Sequence, residues 1–539
     1  MITGAVAGVL AGLLMLLLMV VLRSVFGVPT PIEMIFDRLF PLLTVKFFID
    51  SLVKAGGYTP LKLQGLYGAL SGQTAVAAMG GIVYALFLGR QARPESGERN
   101  ARRSGWVDQR GWRLIVPGVL AAWLLFVVLL WPNLVTSFRG LPPHSARVVT
   151  AAALLLDFAV CGLGIMAFHH LLTSERGTAA SSDPHSGLTR RAFLAGGLGA
   201  GMAVVTGAML HRLYRLGTFF YDGRQYGGPG VKKITPISPE DEFYQVSKNF
   251  VDPDPVRDSW AIEVAGQVEN PRTFSFAEIA ALPAIEQETT LLCISYGVGS
   301  GLCSNALWKG VSLPTVLALV KPKGNVASVL FRAADGYYET FDFKKAMEPT
   351  TLLAYGMNGQ VLPQRHGYPV RMIVPGRYGE KNPKWITRIE LLDESDARLH
   401  QRHGCGFYKE QGWGPNDVVP THSRIDAPAH GGDFDQPFKV GQPVEFRGVA
   451  MGGDRGISKV EISTDGGQTY SPAEIHEPGT KISWSLWRYR WTPTQPAGEI
   501  RVFVRAVDGE GTPQIEQFRD QVPHGSTGLH WVRGKVEAA

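Results

Sequence analysis

The run Thr289 to Leu313, TTLLCISYGVGSGLCSNALWKGVSL, delivers one cysteine, Cys293, at the end of an apolar, β-prone segment. A glycine-rich loop with Gly297, Gly299 and Gly301 follows, and ordered chain resumes at Ala306-Leu307-Trp308. A thiol at the end of a buried strand, facing a flexible loop, suits a metal ligand or a nucleophile. A nucleophile needs a base and an oxyanion hole, and no Gly-x-Ser-x-Gly-like or Cys/His pairing lies near it. A zinc site needs a cluster of Cys/His ligands, and Cys303 is the only thiol nearby. One thiolate binds a metal firmly only when a cofactor brings the other ligands. A buried structural cysteine is the competing reading of these residues.

The second chemistry-bearing run is His366 to Trp385, HGYPVRMIVPGRYGEKNPKW. Arg371 precedes a short apolar strand, Met372 to Val374. A turn, Pro375-Gly376-Arg377-Tyr378-Gly379, leads to Lys381, Asn382 and Lys384. Cations and amide donors around a glycine-rich turn suit an anionic ligand such as a phosphate. A solvated basic loop is the alternative.

Together the two runs resemble the sulfite oxidase family of molybdopterin enzymes. The family pattern has a strand ending in the molybdenum-ligating cysteine, then W-x-G-V-x-L. Here these are Cys293 and Trp308-Lys309-Gly310-Val311-Ser312-Leu313. The later H-G-x-P-x-R, V-P-G-x-x-G and K-W motifs are present as His366, Gly367, Pro369, Arg371, Val374, Pro375, Gly376, Gly379, Lys384 and Trp385. The resemblance covers roughly Pro239 to Val532 and implies a molybdenum-molybdopterin cofactor with Cys293 as its thiolate ligand. It further implies that Arg371 grips the pterin phosphate bidentately, that Lys384 adds a point charge, and that His366 and the turn around Asn382 line the cofactor. Tyr244, Gln245 and Lys248 in the lead-in segment, and Asp335 at a strand end, are further cofactor-binding candidates. Asp335 reads equally as a turn aspartate.

Sulfite oxidases carry a tyrosine over the metal, and the matching position here is Trp413 in the loop Asp393 to Trp413. They also carry arginines just after the cysteine and in the lead-in segment. Here Ile-Ser-Tyr-Gly-Val follows Cys293, and the lead-in position is Val246 or Ser247. A sulfite pocket needs cations for a dianion, so the resemblance leaves the small-molecule substrate open.

The elements that must position these residues follow from the pattern. Trp260 to Val268 alternates as a strand and Phe276 to Leu282 reads as a short helix closed by Pro283. Val329 to Arg332 and Ile386 to Leu391 read as buried strands. From Gly441 the chain changes character: Val444 to Gly448, Ile457 to Ser463, Trp484 to Trp491 and Ile500 to Ala506 alternate as strands. Thr464-Asp465-Gly466-Gly467 is a hairpin turn signal. This tail reads as an all-β immunoglobulin-like sandwich, which in the family commonly mediates dimerisation and so implies a homodimer.

The chain has 539 residues and a net charge of +6, with 19% charged residues. Its arginines cluster in a few loops and form no nucleic-acid stripe, which argues against a nucleic-acid partner. Its four cysteines have no short spacing, which argues against a disulfide framework. A Cys303–Cys405 bridge stays open.

Charge nearly vanishes from parts of the first 210 positions. Ile2 to Leu22, Gly65 to Leu88, Leu114 to Trp131, Val148 to Leu172 and Ala192 to Leu210 give about five transmembrane helices. The loop Gly89 to Arg113 is arginine-rich, and the positive-inside rule puts it in the cytoplasm. By alternation, everything after the fifth helix is extracytoplasmic, on a multi-pass anchor in the cytoplasmic membrane. Arg190-Arg191-Ala-Phe-Leu, within Thr189 to Leu194, resembles a twin-arginine signal, which suits export of a domain folded around its cofactor. An ordinary positive-inside anchor explains the same arginines. His144, His169, His170 and His211 read as interfacial histidines, with haem left open.

The expected organisation is multi-domain. Residues 1–211 are the membrane region with the twin-arginine-like segment 189–194, and 212–236 are a tether. Residues 237–430 form an α+β molybdopterin-binding catalytic domain and 431–535 the β-domain. The expected function is oxygen-atom transfer or two-electron redox on a small substrate. No Cys-x-x-Cys-His motif is present, so electrons must leave through a partner such as a cytochrome or quinone. A membrane-tethered binding or assembly module that kept the fold without the metal is the alternative.

Overall fold

The computed structural model describes residues 1–39, 47, 50–51, 54–55, 58–91, 109–173, 196–202, 204–208, 211, 235–249, 251–396, 418–428, 437–496, 498–521 and 524–538. The chain divides into two units, Met1–Gly217 with Asn249–Pro253, and Thr218–Lys248 with Asp254–Ala539.

The first unit is helical: α1 (Ile2–Phe26), α2 (Pro31–Leu39), α3 (Tyr58–Gln91), α4 (Gln109–Leu129) and α5 (Pro143–Thr173). Four of these contain spans long and apolar enough to cross a membrane, Ile2–Phe26, Pro60–Gly89, Arg110–Leu129 and Pro143–Thr173. The fifth expected span appears as a shorter apolar helix, Gly196–Ala208. Arg190 and Arg191 lie outside the described residues. Small residues let α1 and α3 touch backbone to backbone: a Cβ at Gly8 would stand 2.2 Å from the Ala77 carbonyl oxygen. Such close approach is the usual way for helices to pack where no hydrophobic driving force separates protein from lipid. The His169 ring meets Tyr84 edge-on, with centroids 5.3 Å apart.

The second unit begins with two sheets. One has the order β2 (Arg272–Ser275), β1 (Ala261–Gly266), β10 (Ile386–Asp393), β5 (Val326–Ala333), β6 (Tyr338–Asp342). The other has β3 (Ala284–Leu292), β4 (Cys303–Ser312), β7 (Leu352–Met357), β8 (Gln360–Val361), with β9 (Arg371–Ile373) also on β7. Trp260, Phe274, Phe331, Leu353, Met372 and Ile389 belong to one core packed between these elements. The short helix α6 (Phe276–Ala280) starts at Ser275, whose side chain forms a capping box with Glu278.

The β3–β4 ladder sets the site. It runs antiparallel from Ala284↔Val311 to Leu292↔Cys303, so Cys293 leaves the last rung. The Trp308 indole N–H donates to the Thr289 carbonyl at 3.1 Å, across the same ladder. At Gly310 a Cβ would lie 2.1 Å from the Leu353 carbonyl oxygen, so only glycine lets β7 pair there. The W-x-G motif is therefore a packing device that fixes where β3 ends.

The remaining strands are β11 (His422–Ala427), β12 (Phe438–Lys439), β13 (Val444–Met451), β14 (Ile457–Ser463), β15 (Ser471–Glu477), β16 (Ser485–Trp491), β17 (Gly498–Asp508) and β18 (His530–Glu537). They run in the order β11-β13-β16-β15-β14-β17-β18-β12 around a core that includes Phe446, Trp487, Val502 and Val532. β11 pairs with β13, so a strand from the stretch before residue 431 is part of this second array. The turn signal at Thr464–Gly467 is realised as a longer loop. Gly466 and Gly467 both have positive φ, and the Asp465 carboxylate accepts from the Gln468 and Thr469 amides at 3.0 Å.

Candidate functional site

Cys293 follows β3 and is buried. Its amide donates to Leu302 O at 3.0 Å, and its carbonyl accepts from the Tyr296 amide at 3.0 Å, which closes a tight turn around the thiol. Burial pushes the Cys293 thiol up to about 11, opposed by backbone N–H groups of Ser295 and Ile294 directed at the sulfur. A thiol desolvated this strongly is a poor free nucleophile, because the thiolate is the reactive form. Amide donors already aimed at the sulfur fit a thiolate that a cation stabilises. Among the described residues no group of three or more His, Cys, Asp or Glu side chains gathers to hold a metal, so the protein offers this thiolate and the cofactor must bring the rest.

Tyr244 is buried and its hydroxyl stands 2.5 Å from where a Gly379 Cβ would be, while Cys293 Cα is 3.7 Å from that point. Glycine at 379 thus lets the second motif close against the cysteine. Burial and the neighbouring Cys293 hold the Tyr244 hydroxyl well above its ordinary range. Gln245 is also buried. Lys248, by contrast, is exposed.

Arg371 is buried beneath this turn. Its guanidinium donates to His366 O at 2.9 Å and Asn382 O at 3.1 Å, and its Cζ lies 5.0 Å from the Trp308 ring centroid. No carboxylate faces it among the described residues, and burial pulls its pKa down to about 10. A cation kept in a low-dielectric setting by carbonyls and a ring is stabilised by an incoming anion.

His366 packs edge-on to Phe243 and its Nε2 lies 3.1 Å from Glu240 O. Burial lowers its pKa to about 3, so it is neutral at pH 7. Lys384 Nζ donates to Val246 O at 3.3 Å and Arg365 O at 3.1 Å, and sits 4.3 Å over the Trp385 ring. The Asn382 side chain works within the turn: Oδ1 accepts from Val374 N at 2.6 Å and Nδ2 donates to Tyr378 O at 2.9 Å. Asp335 accepts from the Tyr337 amide at 3.0 Å, a turn-forming bond, and the Tyr337 hydroxyl donates to Glu380 O at 2.9 Å. The Lys381–Glu339 pair, 2.7 Å and buried on both sides, ties the same turn to β6.

Trp413 and Cys405 lie outside the described residues. Cys303 is a free thiol whose Sγ is 3.3 Å from Met451 Sδ.

The β-domain reaches this site, which the sequence reading did not foresee. Ser526 Oγ donates to Tyr296 O at 2.6 Å, and Arg424 donates to Ser300 O at 2.9 Å. The His530 ring lies against Gly299, and Gly525 against the Tyr378 hydroxyl. These residues sit far along the chain from Cys293 and share no motif with it, so nothing in the sequence pairs them. Arg377 was also passed over. It fills the first variable position of V-P-G-x-x-G, is largely buried, and has Asp342 as its nearest acid at 3.7 Å, with Nε unpartnered.

The donor set fits molybdopterin: one desolvated thiol under two amides, a buried guanidinium lacking an acid, and a glycine turn with no room for a side chain. Residues 249–399 match the oxidoreductase molybdopterin binding domain model, and residues 416–533 match the Mo-co oxidoreductase dimerisation domain model. Mitochondrial sulfite oxidase of Drosophila melanogaster is 29% identical over 304 residues, covering 48% of this chain and 52% of that protein. Mitochondrial sulfite oxidase of Homo sapiens is 33% identical over 235 residues, covering 39% and 42%. Nitrate reductase [NADH] 1 of Arabidopsis thaliana is 28% identical over 278 residues, covering 42% and 30%. The chain spans about half or less of the length of these relatives. The two domain matches in their order place residues 249–533 in the sulfite oxidase family of molybdenum cofactor-dependent oxidoreductases.

Proposed function

We propose that the chain is a membrane-anchored molybdopterin oxidoreductase whose catalytic domain works on the extracytoplasmic side, acting on a small substrate by oxygen-atom transfer or two-electron redox. The observation that carries this is the buried Cys293 thiol at the end of β3, under the Ser295 and Ile294 amides. Cys293 holds the metal, and Arg371, Lys384 and His366 hold the pterin end, with Tyr244 and Gln245 packed beside them. Asn382 shapes the turn and does not need to touch the cofactor. When bound, the cofactor supplies two-electron redox at molybdenum. The protein's part is to present the thiol with amide donors aimed at its sulfur, anchor the phosphate, and exclude water by closing the β-domain over the Cys293 loop. Trp413 is the proposed aromatic over the metal.

Metal and pterin analysis of the purified chain, followed by a redox substrate screen, tests this. Molybdenum and pterin in near-equal amounts are expected. Their absence from protein produced with a working cofactor supply favours the alternative, a tethered binding or assembly module. Cys293→Ser should give folded protein with turnover at background, while Cys303→Ser keeps most of it. Wild-type turnover in Cys293→Ser would remove the ligand assignment.

The relatives are named for sulfite and nitrate, yet the Ile-Ser-Tyr-Gly-Val that follows Cys293 contains no cation, which weighs against sulfite and leaves the substrate open. The β-domain is taken as an immunoglobulin-like sandwich through which two copies pair, and electrons leave to a cytochrome or quinone. The arginine-rich loop and the Arg190-Arg191 pair support the sidedness and a twin-arginine route. Changing both arginines to lysine preserves charge and should trap the domain inside. Protease accessibility on spheroplasts reads this out, and a domain protected in the wild type would refute the orientation.

A further inference from the structure

The four candidate spans hold a single acidic residue, Asp157. It sits in the middle of α5, 14 residues from Pro143 and 16 from Thr173. Its side chain is buried, and Oδ1 has no hydrogen-bond partner. The walls of this part of α5 are apolar. Phe158 packs on Phe126 of α4, and Leu154 joins Met34, Leu130 and Leu134. Ala153 joins Leu22 and Val28, and Gly162 lies against Ile115 and Val119.

Among the described residues, the helices packed on α5 bring no cation to this depth. The charged residues of α1, α3 and α4 within the spans are Arg23, Lys62, Arg110 and Arg113, all near span ends, and Arg23 is paired with Glu33. The other titratable side chains there are Tyr67 and Tyr84 of α3. On α5 itself Arg147 is 10 residues away, about 15 Å along the helix. His144, His169 and His170 are further still, and the Cys161 thiol is one turn on. An ionised carboxylate in such a place is strongly disfavoured without a partner, and an ionisable residue at such depth points to the handling of protons or ions.

We propose that Asp157 is a proton-binding site inside the helical unit, protonated at rest and able to release that proton to solvent. This rests on reading the helical unit as membrane-embedded. The O–H bond that breaks leaves a carboxylate on Asp157 and transfers the proton to water, with no change in oxidation state.

The test uses the full chain in native membranes, probed with dicyclohexylcarbodiimide, which modifies neutral carboxyls in apolar surroundings. One adduct is expected on the α5 peptide, absent in Asp157→Asn, and lost as the pH is raised. Cys161 serves as the internal reporter of the membrane, and should resist a charged, membrane-impermeant maleimide. Pterin content unchanged in Asp157→Asn would show that the variant is folded. A protected Cys161 with no adduct on Asp157 overturns the site alone. An adduct whose yield ignores pH marks a permanently protonated structural carboxyl and also overturns it. A Cys161 that reacts freely with the charged maleimide overturns the anchor reading, and the site with it.

Discussion

Arg371 and Arg424 are both buried guanidiniums close to the Cys293 loop, and they are completed in different ways. Arg424 donates to the Asp426 carboxylate at 2.6 Å and to Ser300 O. Burial alone would lower its pKa, but Asp426 overrides this and raises it. Among the described residues Arg371 has carbonyls and the Trp308 ring as partners, and burial pulls it down. One cation is finished within the chain and serves structure. The other has no carboxylate beside it among the described residues, the arrangement that the proposed pterin phosphate would complete. A buried cation is therefore informative about ligands only once its carboxylates have been accounted for.

The comparison breaks most visibly on the structural side. Arg424→Ala leaves Asp426 buried without its guanidinium, and a loss of about 3–5 kcal/mol is expected from removing one partner of a buried pair. Denaturant unfolding of apoprotein measures it, and a cost below about 1 kcal/mol, typical of exposed pairs, would mean that Asp426 is solvated. On the other side, Arg371→Met should leave apoprotein stability level or higher, because it removes an uncompensated charge. It should cut pterin retention instead, by about 1.5–3 kcal/mol for each lost charge-assisted bond. Pterin content unchanged from wild type would show that Arg371 does not hold the cofactor.

A third test uses protons. Burial lowers His422 to about 4 and His366 to about 3 from an ordinary 6.5. The unfolded chain takes up these protons below about pH 6.5 and the native chain does not. Their contribution to stability is thus whole above pH 6.5 and is lost as pH falls toward 4 and then 3. His422→Gln should flatten the melting temperature against pH in that window, by at most about 1.4 kcal/mol per pH unit. An unchanged slope would show His422 already open to solvent. The smallest effect belongs to Arg488 and Glu474, a bidentate but exposed cross-strand pair. Glu474→Gln should leave the unfolding midpoint nearly where it was, and a clear loss would mean that surface pairs, too, carry weight in this fold.

Much of the site was legible because its parts lie on two continuous runs. The runs that carry Cys293, His366, Arg371 and Lys384 hold glycines with a steric reason, such as Gly310 against β7, Gly379 against Tyr244, and Gly367 against Arg371 and Lys384. Lys248 and Asp335 were legible only as residue types, and the structure gives one an exposed place and the other a turn. The β-domain was half legible. Strands with alternating apolar residues, β13, β14, β16 and β17, declared themselves. β11 did not: HSRIDA carries polar side chains that are buried through contacts with distant partners. His422 lies against Tyr296, Ser423 donates to Gln514, and Arg424 donates to Ser300 O. Periodicity records water on one face and oil on the other, and it is silent where a polar side chain finds its partner about a hundred residues away.

The bonds from Ser526 and the packing of Gly525 and His530 over the Cys293 loop have a meaning in time. A ribosome delivers Cys293 and Arg371 long before it delivers residues 525–530. Until residues 525–530 arrive, the Cys293 loop lacks these contacts. The loop is therefore completed late in synthesis, well after the residues on either side of it.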